Sequence, residues 1–132
     1  MINREKFREQ YSYFDKEVVV QIIGILEDEY PTRIETLSET IRNKQIPELR
    51  KAAHAFKGMI GNFDLEGDSY RLIKDIDFKA HQLDDEIEKG RILSENEKNQ
   101  IFEAFSSMLA SFKIAMKQLM IDLNEIKSEY LD

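Results

Sequence analysis

The residues best suited to chemistry lie in one stretch, residues 51–63, KAAHAFKGMIGNF. It holds His54, then Lys57, Gly58 and Gly61. An imidazole ordinarily titrates at about pH 6.5, so at neutral pH it is largely uncharged. One ring nitrogen then carries a free lone pair and is a nucleophile. A lysine one helical turn away sets a positive charge beside anything negative that arrives. Each glycine costs about 1 kcal/mol in a helix interior relative to alanine. Two of them beside one histidine call for a reason, and removing bulk so that a partner or a phosphate can approach the ring is one. A neutral nucleophile, a nearby cation and cleared space suit phosphoryl transfer, where a protein mostly positions groups and stabilises charge.

Helical periodicity separates these residues from the core. At about 100° per residue, Leu49, Ala53, Phe56, Ile60 and Phe63 fall within about 40° of one direction. His54 lies about 140° from that direction, with Gly58 and Gly61 on the same outer side. The histidine is expected to face solvent. The same outer side carries Arg50, Lys51 and Lys57 against one acid, Glu48. In an acidic chain this basic patch is expected to steer the face toward an acidic partner.

The rest of the chain reads as helices that hold this one in place. Few glycines and prolines favour few, long elements. A short amphipathic stretch over about residues 3–13, with Phe7, Tyr11 and Phe14, precedes a second helix over about 16–29 capped by Asp15. Gly24 inside that helix is read as close packing against a neighbour. Pro31 is expected to break it and open a third helix, about 31–43, with Ile34, Leu37 and Ile41 inward. Pro47 opens the histidine helix, and residues 64–68 form the next turn. A further helix runs from about 68 to 89 and stops at Gly90. Ser94 with Glu97 forms a capping box. From there Ile101, Phe105, Met108, Phe112, Met116, Leu119, Leu123 and Ile126 mark a helix of about 35 residues. Amphipathic helices joined by short connections must pack on one another, with neighbours antiparallel. The expected fold is all-α: an up-down antiparallel four-helix bundle with an additional short N-terminal helix, one domain over residues 1–132.

AHAFKGMIGNF resembles the signature of histidine-containing phosphotransfer (HPt) domains of bacterial multistep phosphorelays. That signature is His-x-x-Lys-Gly, followed by a small residue and an asparagine seven and eight positions after the histidine. His54, Lys57, Gly58, Gly61 and Asn62 match it, and the resemblance covers roughly residues 14–130. It departs at Met59, where many members have a small hydroxyl residue, and at Asp64, where many have glycine. The resemblance implies that His54 accepts a phosphoryl group on Nε2 from the aspartate of one receiver domain and passes it to another. It implies charge balance by Lys57, receiver docking over Gly58 and Gly61, and a structural role for Asn62 at the helix end. The implied partners are response-regulator receiver domains and a hybrid sensor histidine kinase. Mg²⁺ would come with the receiver, and the chain itself would need no cofactor. With no ATP-binding or receiver sequence present, the chain reads as a stand-alone carrier rather than a kinase.

Composition sets the remaining limits. The chain has 132 residues, 42% hydrophobic and 34% charged, which fits a folded domain and excludes a disordered one. Its net charge of −7 argues against nucleic-acid binding. Absence of cysteine excludes disulfides and thiolate metal sites. Lys51 and Phe78 stand three residues before the two histidines, so the Glu-x-x-His pairs of carboxylate-bridged metal bundles are absent. No run of apolar residues is long enough for a membrane span. A cytoplasmic monomer is expected. The alternative from another class is a helical interaction module that binds receivers or other partners without carrying phosphate.

Overall fold

The computed structural model describes residues 2–131 and is helical throughout its regular structure. Five helices follow in order: α1 (Arg4–Gln10), α2 (Lys16–Arg42), α3 (Ile46–Gly61), α4 (Asp68–Glu88) and α5 (Glu95–Leu131). α3 packs on α4 and α2 on α5, and the two pairs meet through α2–α3 and α4–α5 contacts. Side-chain pairs give the directions. Lys127 meets Glu27 while Lys44 meets Asn99, so α2 and α5 run oppositely. Arg50 meets Asp84 while Lys57 meets Asp77, so α3 and α4 do too.

One apolar cluster joins all five helices. It includes Leu49, Ala53, Phe56, Ile60 and Phe63, the stripe expected opposite His54. Phe56 of α3 and Phe112 of α5 meet edge to face with ring centroids 5.2 Å apart, and both are fully buried. Each such ring contributes about 1.5–3 kcal/mol on leaving water, so the face opposite His54 anchors α3 firmly. Phe14, placed on the first apolar stripe from sequence, is half exposed instead. It lies beyond the end of α1, in the link to α2.

The expected break at Pro31 does not occur: α2 runs unbroken through it. Val19, Ile23, Leu26, Leu37 and Ile41, on both sides of the proline, are buried along one face. Packing of that continuous face outweighs the hydrogen bond that proline cannot make. Gly24 also differs from its reading, because a Cβ placed there would meet nothing within 4 Å.

The capping box at Ser94 and the glycine stop at Gly90 behave as their chemistry dictates, whereas the cap expected of Asp15 does not form. Ser94 Oγ accepts from Glu97 N at 3.1 Å and Glu97 Oε1 accepts from Ser94 N at 3.3 Å, the two halves of the capping box. These bonds hold the Glu97 carboxyl below its ordinary range. Asp15 stands at the N-cap of α2, but its side chain makes no capping bond. Gly90 has φ of 104°, the left-handed conformation that ends α4. Asp64 turns the chain between α3 and α4: its Oδ1 accepts from Glu66 N at 3.1 Å and Gly67 N at 3.0 Å. A Cβ on Gly67 would lie 1.9 Å from Asp64 Oδ2, so the pair fits only with glycine there. No helix among the described residues is long and apolar enough to cross a membrane.

Candidate functional site

His54 sits midway along α3 with 73% of its side chain exposed. Its outward position follows from the apolar stripe behind it, which fixes the rotation of α3 in the core. One turn further, Gly58 is exposed, and a Cβ built on it would meet nothing within 4 Å. The space beside the ring is therefore open. Gly61 is different. A Cβ there would lie 3.3 Å from both Leu65 Cδ2 and Tyr70 Cε2. Its small size lets the end of α3 pack against Tyr70 rather than clearing ground beside His54.

Lys57 does not project freely. Its Nζ lies 2.7 Å from Asp77 Oδ2, and only 25% of its side chain is exposed. Asp77 comes from the facing turn of α4 and is 7% exposed. Its other oxygen, Oδ1, lies 3.6 Å from His54 Nδ1 and has no hydrogen-bond partner. One buried carboxylate thus stands between the imidazole and the ammonium, an oxygen toward each.

Arg50 is likewise engaged. Its Nη1 lies 2.8 Å from Asp84 Oδ2 and 3.3 Å from Asp85 Oδ1, and His81 Nε2 lies 3.4 Å from Nη2. These bonds raise the Arg50 pKa still further, the Asp84 contact most. The basic patch expected on α3 is therefore largely neutralised by α4. Lys51 alone of its three cations has no carboxylate within 4.0 Å among the described residues. Asn62 is the C-cap of α3, and its carbonyl accepts from Gln10 Nε2 at 3.0 Å and Tyr11 Oη at 2.6 Å. It stands two turns from His54, tied to the N-terminal segment.

Asp77 and Asp84 were not singled out by sequence, yet a signal was present. Arg50 and Lys57 are seven residues apart on α3, as Asp77 and Asp84 are on α4. Both acids fall within the apolar spacing of Ile73, Ile76, Ala80 and Leu83. An acid on a core-flanking stripe needs a partner, and antiparallel packing aligns the two pairs. Beside this seam, Lys57, Lys74, Asp77, Phe78 and His81 line a shallow cleft of about 370 Å³. Phe78 is 64% exposed there, an apolar ring next to Asp77. Among the described residues no three histidine or carboxylate side chains converge to hold a metal ion.

The arrangement presents an accessible nitrogen nucleophile with a tethered cation one turn away and an open helix face beyond it. Comparison of the chain with known protein families, curated proteins and solved structures finds no match.

Proposed function

We propose that the chain is a phosphohistidine carrier of the HPt type, its four long helices forming an up-down bundle and α1 an added N-terminal helix. His54 takes a phosphoryl group from the phosphoaspartate of one receiver domain and gives it to the aspartate of another. The observation that carries this reading is the exposed His54 with open space over Gly58 and the Lys57 ammonium held one turn away. A buried face fixes the helix, so the imidazole is presented to a partner rather than folded back onto the protein.

Transfer of this kind needs in-line approach and stabilised charge more than covalent chemistry from the protein. The open helix face lets a second domain bring its phosphoaspartate to the ring. Lys57, held by Asp77 one turn from the ring, is the cation nearest the transferred group, and it must be shared with or released by that carboxylate to act on the equatorial oxygens. Mg²⁺ belongs to the receiver in this scheme. The partners are receiver domains, with a hybrid sensor kinase upstream.

The test is transfer of label from a panel of phosphorylated receiver domains to the wild-type protein and to His54→Gln. Acid-labile, alkali-stable label on the wild type alone is the expected result. Absence of label from every receiver, with binding to one of them intact, overturns the carrier reading in favour of an interaction module.

A further inference from the structure

A second cleft, of about 340 Å³, runs between α4 and α5. It lies on the other flank of α4 from the seam with α3. Asp77 and His81 turn toward α3, where they meet Lys57 and Arg50, whereas Leu83 and Glu86 turn into this cleft. Its floor is apolar. Leu83 and Phe105 are buried, and Ile101 and Met108 lie partly buried against the same core. Helical spacing sets them side by side, because Ile101, Phe105 and Met108 follow one another at four and three residues along α5. Ala104 stands exposed at the rim, and its single methyl leaves the space unfilled.

The rim is polar. Lys79, Gln82 and Glu86 border the cleft from α4, and Arg91 borders it from the connection to α5. Arg91 is committed: it pairs with Glu86 and lies 3.4 Å from Glu97, which stands outside the cleft. Glu86 is thereby neutralised. Among the described residues Lys79 is held by Asp75 alone, at 3.5 Å, with both side chains about half exposed. Such an exposed pair along one helix is weak and yields readily to a competing anion. The lining side chains thus carry two cations against one acid, an excess of positive charge in a chain of net charge −7.

We propose that this cleft binds a small amphipathic carboxylate, its apolar body on Leu83, Phe105 and Met108 and its carboxylate at Lys79 and Gln82. Small-molecule sites combine an apolar cavity of about 300–1,000 Å³ with a few placed polar groups, and this cleft stands at the small end of that range. At about 30 Å³ for each water-sized group it holds roughly eleven of them, which sets the size of the ligand. One excess positive charge matches a monoanion, whereas a phosphate would bring a charge of about −1.5 to −2. The carboxylate accepts from Lys79 Nζ, drawn off Asp75, and from the Gln82 amide. The unbranched Met108 side chain adapts to the shape of the apolar body. None of these residues touches His54, so the inference does not rest on the carrier reading.

The experiment titrates decanoate, kept below its micelle concentration, into the ¹⁵N-labelled full chain and follows the amide proton–nitrogen spectrum. Decylammonium, with the same tail and the opposite charge, is the control. The acidic chain as a whole attracts the cation, so a preference for decanoate reads the local charge of the cleft. Saturable one-to-one shifts confined to residues 79–91 and 101–108 are expected, with decanoate bound at least about tenfold more tightly than decylammonium. Lys79→Glu is expected to weaken decanoate at least about tenfold, and Ala104→Trp, which fills the cleft from its exposed rim, to abolish binding. Lys79 is half exposed, so its variant keeps the test decisive even if Ala104→Trp disturbs α5. No saturable shift, equal affinity for the two amphiphiles, or unchanged decanoate binding in Lys79→Glu overturns the proposal. So do cleft resonances that move with protein concentration alone, which would assign the cleft to a second copy of the chain. Label transfer to His54 is unaffected by either result, so failure here leaves the carrier reading standing.

Discussion

Gly24 and Gly58 occupy similar places, each inside a helix with nothing within 4 Å of an added Cβ. Neither backbone has positive φ, so alanine fits both without strain. Gly24→Ala and Gly58→Ala are each expected to raise stability by about 0.5–1 kcal/mol, read as a higher urea midpoint. Their functional consequences separate. Gly58 stands one turn from His54 on the open face, and Gly24 lies on another helix. Gly58→Gln is expected to slow labelling of His54 at least about tenfold, or about 1.4 kcal/mol in the barrier. Gly24→Gln should leave the rate unchanged. Equal rates in the two variants would mean that no partner docks over Gly58. The outward face of His54 was legible in the sequence because the apolar stripe of α3 is unbroken from Leu49 to Phe63. The role of Gly61 was not, because Tyr70, the residue it packs against, comes from the following helix. Asp77 escaped for a related reason: its partners, His54 and Lys57, lie about twenty residues upstream, and only the register of α3 on α4 brings them together.

At the scale of the element, Pro31 carries the sharpest consequence. Without an N–H it cannot bond to the carbonyl of Glu27, and an interior proline costs a helix about 3 kcal/mol. α2 nevertheless continues, because Ile23 and Leu26 before the proline and Leu37 and Ile41 after it bury on one face. Pro31→Ala restores the missing bond but also frees the unfolded chain, which returns about 0.4–1 kcal/mol. A net gain of about 2 kcal/mol is expected in urea unfolding. A negligible gain would indicate two helices that merely abut at residue 31. The sequence contained both signals. A local one, proline, pointed to a break, and a long one, apolar residues every three or four positions from Val19 to Ile41, pointed to continuity. Tertiary burial decides between them, and it acts over the whole stripe. The capping box at Ser94 and the stop at Gly90 were legible because their bonds close within a few residues.

Across the whole molecule, the segment leading into α1, α1 itself and the C-terminal part of α5 meet near the pole where α3 ends. Ile2 N donates to buried Asp122 at 3.0 Å, Arg4 pairs with Glu125 and Glu129, and Phe7 packs on Tyr11 and Tyr130. Tyr11 joins this clasp to the end of α3 through its hydrogen bond to the Asn62 carbonyl. Burial pushes the Tyr11 phenol above its ordinary pKa of 10.0. The sign of the effect follows from linkage. Below about pH 10 the phenol is protonated in both folded and unfolded chains and contributes no pH dependence. Above it the unfolded phenol ionises while the folded one resists, so stability falls as pH rises toward the folded value. Tyr11→Phe should lose about 0.5–1.5 kcal/mol at pH near 8 for the missing hydrogen bond. Gln10 still serves the Asn62 carbonyl, so that acceptor is not orphaned. The variant should also show a shallower alkaline decline, because its position 11 no longer titrates. Urea midpoints measured at about pH 8 and about pH 11 check both parts. Parallel declines in the two proteins would mean that Tyr11 does not couple ionisation to folding, and that the clasp is held by the Phe7 packing and the Arg4 pairs.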